Sequence, residues 1–266
     1  MKLNRINPLI KQAYKESKKR TFLVYSILRI LVIVCMILQI INGNFENAIL
    51  CLFSLILLVT PFFIQKGFKI TFPNTLEIII LLFIFAAEIL GEIQNFYGIF
   101  PFWDTMLHTI NGFLAAAIGF SLINLLNKNS EKFNLSPFYL CLVAFCFSMT
   151  IGVLWEFFEF GVDNILNKDM QKDVVVDKIS SVNFDTTKTN KSITITDIDH
   201  TVLYDKDNNE LITIEDGYLD IGIIDTMSDL LVNFVGATIF CTFGYFYLKT
   251  NGKNKFISYF VPRKTN

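Results

Sequence analysis

Long apolar stretches separated by polar segments dominate the sequence. Each is about as long as the 20-residue helix that crosses the hydrocarbon core of a bilayer. Six such stretches cover residues 22–42, 46–65, 75–95, 103–126, 137–160 and 223–248. The pattern predicts an all-α polytopic membrane protein, a bundle of about six transmembrane helices. Five of these helices fall within residues 22–160, and the sixth covers 223–248.

The composition supports a membrane protein and excludes several other classes. Hydrophobic residues make up 53% of the chain, charged residues only 18%, and the mean hydropathy is +0.48. Soluble proteins are about one-quarter charged, so a disordered chain, a disulfide-rich secreted module and an ordinary cytosolic enzyme are all excluded. A net charge of −1 also excludes a generally basic nucleic-acid binder. The lipid bilayer is therefore the expected partner, and nucleic acid is not.

The distribution of Lys and Arg predicts the orientation in the membrane. Seven of these residues occur in the basic N-terminal segment 1–21, and five more occur in the tail 249–266. The short connections 43–45 and 96–102 contain none. Because positive charge stays on the cytoplasmic side, we expect both termini to be cytoplasmic in a multi-pass protein of the plasma membrane.

One connection is long and acidic. Residues 161–222 contain 13 Asp or Glu against six Lys, and the predicted orientation places them outside the cell. Four short runs within them are typical of strands, namely Val174–Val176, Ile193–Ile198, Val202–Tyr204 and Leu211–Ile214. Residues 205–209 have a turn composition between the last two runs. The segment therefore predicts a small extracytoplasmic β-hairpin insertion.

Carboxylates within and beside the apolar stretches follow helical spacing. They are Glu88, Glu92, Asp104, Glu156, Glu159, Asp163, Asp225 and Asp229, and His108 lies four residues after Asp104. Residues three or four apart share one helix face. The third and fifth stretches carry their acids at the end, and the fourth and sixth carry them at the start. Since successive helices alternate in direction, all these polar faces are expected near the outer boundary of the membrane.

Charge balance makes this group of acids a candidate metal site. No Lys or Arg occurs between Lys69 and Lys128, in 133–167 or in 207–248, so His108 is the one local candidate cation. Carboxylates in a low-dielectric site must take up protons or share a bound cation. Carboxylates with an imidazole suit a divalent metal ion, which helix bundles bind between facing helices. The predicted ligands are Glu88, Asp104, His108, Glu156, Glu159, Asp225 and Asp229.

Simpler roles remain open for several of these residues. Asp104 and Asp225 each precede a Thr at a predicted helix start, where an Asp caps free N–H groups without any chemistry. Asp163 is also compatible with a solvated loop acid. For the group as a whole, protons are the alternative to metal. Protonated carboxyls would then hydrogen-bond to one another and to Asn111 or Asn233.

The order of these motifs resembles one family of bacterial integral membrane proteins, the YjdF-type family. The motifs are Asp104-x-x-x-His108 followed by Gly112, Trp155-Glu156-x-x-Glu159, Asp225-x-x-x-Asp229 and Asn233-x-x-Gly236. The resemblance covers residues 75–248, and the 169–173 and 217–220 segments are similar to Gram-positive members. The insertion 164–222 is longer than in the shorter members. The family has no established activity, so the resemblance implies the architecture and the site location but no substrate.

Three functions are compatible with these observations. The first is a metal-dependent hydrolase or transferase acting on a lipid headgroup or another outer-face substrate, with Glu156 or Glu159 as general base. The second is a cation- or proton-coupled transporter, although the sequence has no internal repeat and its acids cluster at one face. The third is a structural or sensory protein without catalysis. No Lys or Arg is available near the acids to clamp an anionic substrate, and no nucleotide-binding fingerprint is present.

Overall fold

The structure is a computed structural model that describes residues 8–129, 134–250 and 255–264. The predicted basic segment 1–21 and basic tail 249–266 lie partly outside the described residues. Within the described part, helices dominate and a few short strands form antiparallel pairs. The predicted all-α polytopic architecture with a small β insertion is therefore confirmed.

Five helical segments among the described residues are long and apolar enough to cross a membrane. They are Lys18–Ile41, Phe45–Phe68, Trp103–Lys128, Pro137–Leu166 and Ile223–Lys249. The helices that contain them are α1 (Pro8–Ile41), α2 (Phe45–Leu57), α3 (Thr60–Phe68), α6 (Trp103–Asn129), α7 (Pro137–Leu166) and α8 (Ile223–Lys249). Helices α2 and α3 share one span, and Pro61 lies in the first turn of α3, where its missing N–H costs nothing.

The stretch predicted as a third span, 75–95, forms a helix that changes type part-way along. Helix α4 (Asn74–Phe85) continues directly into a π-helical segment, Ala86–Ile93. The short helix α5 (Phe96–Ile99) follows. Segments of π-helix are rare and are frequently found at functional sites. This one contains the buried Glu88, which is one of the predicted ligands.

The chain divides into two compact units, the first made of residues 1–152 and 231–266. One core of this unit joins α1, α2 and α4 through six buried residues, Leu28, Val32, Cys51, Leu58, Leu81 and Ile89. A second core contains Phe120 and Phe240, whose rings lie 5.7 Å apart, together with the small residues Ala116 and Ala117 of α6. Small residues let membrane helices approach closely, so this second core is tightly packed.

The C-terminal segment of the first unit folds back onto the helices. After helix α9 (Lys255–Ser258), strand β8 (Arg263–Lys264) pairs antiparallel with β1 (Ile70–Thr71). Ile257 and Phe260 are buried in the second core, and the ring of Phe260 lies 5.1 Å from that of Phe113. The sequence predicted a basic cytoplasmic tail here. In the structure, the apolar residues Ile257, Phe260 and Val261 of this segment pack into the core.

The second unit, residues 153–230, contains the last part of α7, the first part of α8 and the β insertion between them. Its antiparallel strand pairs are β2 (Val175–Val176) with β7 (Tyr218–Leu219), β3 (Ile179–Ser181) with β4 (Ile193–Ile195), and β5 (His200–Tyr204) with β6 (Glu210–Glu215). The last pair is a hairpin around the turn predicted at 205–209. Asp205 stabilises this turn by accepting hydrogen bonds from the backbone N–H groups of Asp207 and Asn209.

Candidate metal site

The first two turns of α6 present an acid and a histidine on one face. His108 is buried, with 7% of its surface exposed, and its Nε2 lies 3.5 Å from Oδ1 of Asp104. Asp104 is half-buried. The four-residue spacing in the sequence predicted that these two side chains share one helix face, and the structure confirms it.

Three carboxylates of the second unit converge. Glu156 and Glu159 come from the last part of α7, and Asp229 comes from the first part of α8; all three are buried. Each offers one oxygen within 4.8 Å of the others. The indole Nε1 of Trp155 donates a hydrogen bond of 2.8 Å to Oε1 of Glu159. This bond orients Glu159 and was not predicted from the sequence, although Trp155 belongs to the quoted motif.

Two groups of carboxylates in the second unit have the composition and spacing of metal ligands. Oxygen atoms of Glu156, Glu159 and Asp229 lie within 4.8 Å of one another. Asp225 and Asp229 form the second group by the same measure. Asp229 belongs to both. Carboxylate oxygens suit a divalent metal ion, so this acidic cluster could hold one.

Glu88 differs from the other predicted ligands. Its side chain is buried in the π-helical segment, with 8% of its surface exposed, and it belongs to neither group of described residues. The sequence placed Glu88 at the same membrane depth as the other acids. Depth alone does not determine which face of its helix a side chain occupies.

Asp225 and Asp163 both bind the backbone of the segment that follows α7. Oδ2 of Asp225 accepts a 2.8 Å hydrogen bond from the N–H of Lys172. The two carboxylate oxygens of Asp163 accept hydrogen bonds from the N–H groups of Met170 and Gln171, at 2.6 and 2.8 Å. Asp163 is thus an acceptor that fixes this segment, a role that no spacing in the sequence indicated.

A third acid of this region, Asp220, stabilises the start of α8. Its carboxylate accepts hydrogen bonds from the N–H groups of Val174 and Ile224, at 2.8 and 2.7 Å. Partial burial acts to raise the pKa of Asp220, but these backbone donors outweigh it and hold the pKa below its ordinary value. The carboxylate therefore stays ionised where the helix dipole favours negative charge.

Within the first unit, α6, α7 and α8 meet around one fully buried amide, that of Asn233. Its Oδ1 accepts a 3.2 Å hydrogen bond from Nδ2 of Asn111. The Ser148 hydroxyl donates a 2.8 Å hydrogen bond to the carbonyl of Gly112. A Cβ atom on Gly112 would collide with the carbonyl of Asn233. Backbones in direct contact, joined by interhelical hydrogen bonds, give a fixed crossing of three helices.

Each helix of this crossing carries a candidate ligand three or four residues away along its own chain. His108 lies three residues before Asn111 on α6, and Asp229 lies four residues before Asn233 on α8. On α7, Glu156 lies four residues after Gly152, where an added Cβ would come within 2.8 Å of Nδ2 of Asn233. Residues three or four apart share a face, so each helix presents its ligand on the face it uses at the crossing.

Comparison with known proteins finds similarity to an uncharacterised family of membrane proteins. The profile of the family described as "Predicted membrane protein (DUF2238)" matches residues 23–250. An "Uncharacterized protein" of Thermotoga maritima is 30% identical over 107 residues, which is 40% of this chain. The match covers 54% of the relative, so the chain spans about half of that protein's length. No solved structure matches. The expected membership of a membrane family without a known activity is confirmed.

Proposed function

The chain belongs to the DUF2238 family of predicted membrane proteins, and we propose that it binds a divalent metal ion through His108, Glu156, Glu159 and Asp229. The observation that carries the proposal is the convergence of the buried carboxylates of Glu156, Glu159 and Asp229 in the second unit. His108 is added from the sequence, where it lies four residues after Asp104 on the polar face of its helix. These four residues come from sequence segments that contain no Lys or Arg. A divalent cation supplies positive charge that the surrounding sequence does not.

Asp104 and Asp225 form the more exposed part of the proposed site. Both are half-exposed, and Asp225 offers an oxygen within 4.8 Å of one from Asp229. We assign a second ion or the substrate to these more exposed carboxylates. Glu88 is proposed as a supporting acid and not as a ligand, since it belongs to neither group.

We propose metal-dependent hydrolysis or group transfer as the activity, on a lipid headgroup or another substrate at the membrane surface. A divalent ion held by these residues would supply an acidic water as the nucleophile at neutral pH. The Trp155 hydrogen bond fixes one oxygen of Glu159, which favours Glu159 as a preorganised ligand. Glu156, on the same helix face, is then the better candidate for the general base.

Transport of a cation or proton is the second candidate, because acids within membrane helices mark ion pathways in many transporters. The crossing at Asn233 argues against it. A side chain at Gly112 or Gly236 would collide with the backbone of the facing helix, so α6 and α8 are in contact there. This packing favours a fixed site over a path between these two helices.

Thermal unfolding of the detergent-solubilised protein tests metal binding. A chelator is expected to lower the melting temperature, because the ion binds only the folded bundle. His108→Ala and Glu156→Gln should each abolish that sensitivity. His200→Ala is the matched control, since His200 is an exposed histidine in strand β5, and it should keep the full response to chelation.

The proton alternative predicts a different result. If protonated carboxyls hold the cluster together, chelation leaves the melting temperature unchanged, and Glu156→Gln is neutral or stabilising at neutral pH. That outcome would contradict the proposed metal-dependent activity and favour transport or a structural role. Elemental analysis of the purified protein, before and after chelation, identifies the metal.

We also propose that both termini are cytoplasmic and that the site opens to the outer face of the plasma membrane. The support is the Lys and Arg distribution. In a variant without native cysteines, a cysteine at the exposed hairpin position Lys206 should react with an impermeant reagent in intact cells. A cysteine at the exposed Lys66 should not. The reverse pattern would place the site on the cytoplasmic face.

A further inference from the structure

A cavity of about 530 Å³ lies between α1, α3 and α4, within the first unit. Its volume is in the range of ligand-binding cavities, about 300–1,000 Å³. The polar groups in its wall come from Lys18, Thr21, Tyr25 and Glu77. Apolar side chains, including Leu58, Phe62 and Leu81, form the remainder. The cavity shares no lining residue with the candidate metal site.

The charged groups of the cavity lie beside the starts of two apolar stretches. Lys18 precedes the stretch 22–42, and Glu77 lies in the first turn of α4. The Lys18 ammonium lies 3.5 Å from Oε2 of Glu77, whose Oε1 accepts a 3.3 Å hydrogen bond from the Gln65 side chain. Because the sequence predicts 22–42 and 75–95 to be membrane spans, we expect this ion pair at headgroup depth.

The walls also show where a long ligand would extend. Phe22 and Phe62 line the cavity yet are 70% and 58% exposed, so their rings also lie on the outer surface of the helices. The cavity is therefore continuous with the apolar surface of the helices. Its charges balance, with one ammonium and one carboxylate. A ligand that carries one charge of each sign can pair with both without leaving a buried charge alone.

We propose that this cavity binds a zwitterionic phospholipid with a primary ammonium headgroup, a phosphatidylethanolamine. Its phosphate pairs with the Lys18 ammonium, while its ammonium pairs with the Glu77 carboxylate. The Tyr25 hydroxyl, which accepts a 2.7 Å hydrogen bond from Arg29, still has its own proton to donate to a phosphate oxygen. The start of one acyl chain lies against Leu58, Phe62 and Leu81, and the rest of the lipid stays in the bilayer.

An anionic phospholipid fits the cavity less well. Its phosphate would pair with Lys18 and leave Glu77 facing a second negative charge, at a cost in a site of low dielectric. The site is thus expected to select between two lipids that have the same chains and different headgroups. Selection of this kind separates a specific site from the general annulus of lipid around any membrane protein.

Native mass spectrometry on protein extracted from nanodiscs tests the proposal. The nanodiscs contain equal amounts of phosphatidylethanolamine and phosphatidylglycerol with identical chains. The wild-type protein should retain phosphatidylethanolamine in preference to phosphatidylglycerol. Glu77→Gln should reduce that preference by about tenfold, the size expected for one lost charge-assisted hydrogen bond. Lys19→Gln is the matched control, because Lys19 is exposed and does not line the cavity.

A second variant separates loss of the site from loss of the fold. Val59 lines the cavity, and Val59→Trp should fill it and lower retention of both lipids. The melting temperature measured without added lipid reports folding for each variant. Equal retention of the two lipids by the wild-type protein overturns the proposal, as does a Lys19→Gln effect equal to that of Glu77→Gln. Chelation of metal should change none of these results, so this test is independent of the proposed function.

Discussion

Two sets of carboxylates in the second unit differ in what surrounds them. Asp163, Asp185 and Asp220 each accept several backbone hydrogen bonds from nearby turns and helix starts. Glu156, Glu159 and Asp229 lie on the membrane helices α7 and α8, with carboxylate oxygens close to one another. The amino-acid types are nearly the same. The local backbone decides between the two roles, because turns offer free N–H groups and continuous helices do not.

The comparison shows how to separate structural acids from candidate ligands in such a chain. An acid held by backbone donors contributes to folding, and losing it should change stability without changing metal binding. An acid within a continuous helix has no free backbone donors nearby, so its burial calls for another charged or polar partner. Mutation of the acids held by backbone donors should therefore change stability and leave metal binding unchanged. Mutation of the acids within the helices should change metal binding.

The largest effect is expected for Asp229, whose carboxylate lies within 4.8 Å of those of Glu156 and Glu159 and also of that of Asp225. Asp229→Asn keeps the size of the side chain and removes its charge. It should lower Mn²⁺ affinity by at least about 100-fold. Loss of a residue that only supports a metal ligand already lowers affinity by up to about 100-fold, and Asp229 is proposed as a ligand itself. Isothermal titration of the metal-free protein in detergent measures this. Asp220→Asn is the control and should bind Mn²⁺ like the wild type; equal losses in both variants would contradict the comparison.

Asp220→Ala is expected to have the next largest effect, on stability alone. The change leaves the N–H groups of Val174 and Ile224 without their acceptor. The expected cost is about 1–3 kcal/mol of unfolding free energy. Hydrogen–deuterium exchange should rise in 172–176 and 222–226. Asp207→Ala, at an exposed position of the hairpin turn, should leave exchange in both segments unchanged. If exchange does not rise in Asp220→Ala, the backbone bonds do not stabilise the start of α8.

The smallest effect concerns pH. The Thr187 hydroxyl, with backbone N–H groups of Lys191 and Thr187, outweighs desolvation and holds the pKa of Asp185 below its ordinary value. Stability from these bonds is present above the ordinary value of about 3.9 and is lost as the pH falls through the lower folded value. Amide NMR shifts of Thr187 and Thr189 should therefore stay constant from neutral pH down to about 4. A midpoint at or above that pH would contradict the assignment, and Asp185→Asn should show no titration.

Hydrophobic pattern and helical spacing were sufficient to predict the architecture and the pairing of Asp104 with His108. Apolar length alone identifies a membrane helix, because the bilayer requires its backbone to bond internally. The turn at 205–209 was equally predictable, because the Asp205 carboxylate accepts hydrogen bonds from the backbone N–H and from the side-chain amide of Asn209. These features depend on neighbours within a few residues, which a single sequence contains.

The remaining features depend on contacts between residues far apart in the chain. The hydrogen bond from Lys172 to Asp225 joins positions 53 residues apart, and that from Asn111 to Asn233 joins positions 122 apart. No periodicity reports such a pairing. The change from α- to π-helix at Ala86 likewise has no periodic signal in the stretch 75–95.

The return of residues 255–264 to the core has a consequence for biogenesis. Ile257 and Phe260 pack against side chains such as Phe113 and Phe240, and these belong to helices made earlier. Residues 255–264 are therefore synthesised after all the helices that surround them in this core. Until then the bundle keeps an unfilled apolar gap, in which membrane chaperones or quality-control proteases can recognise an immature chain.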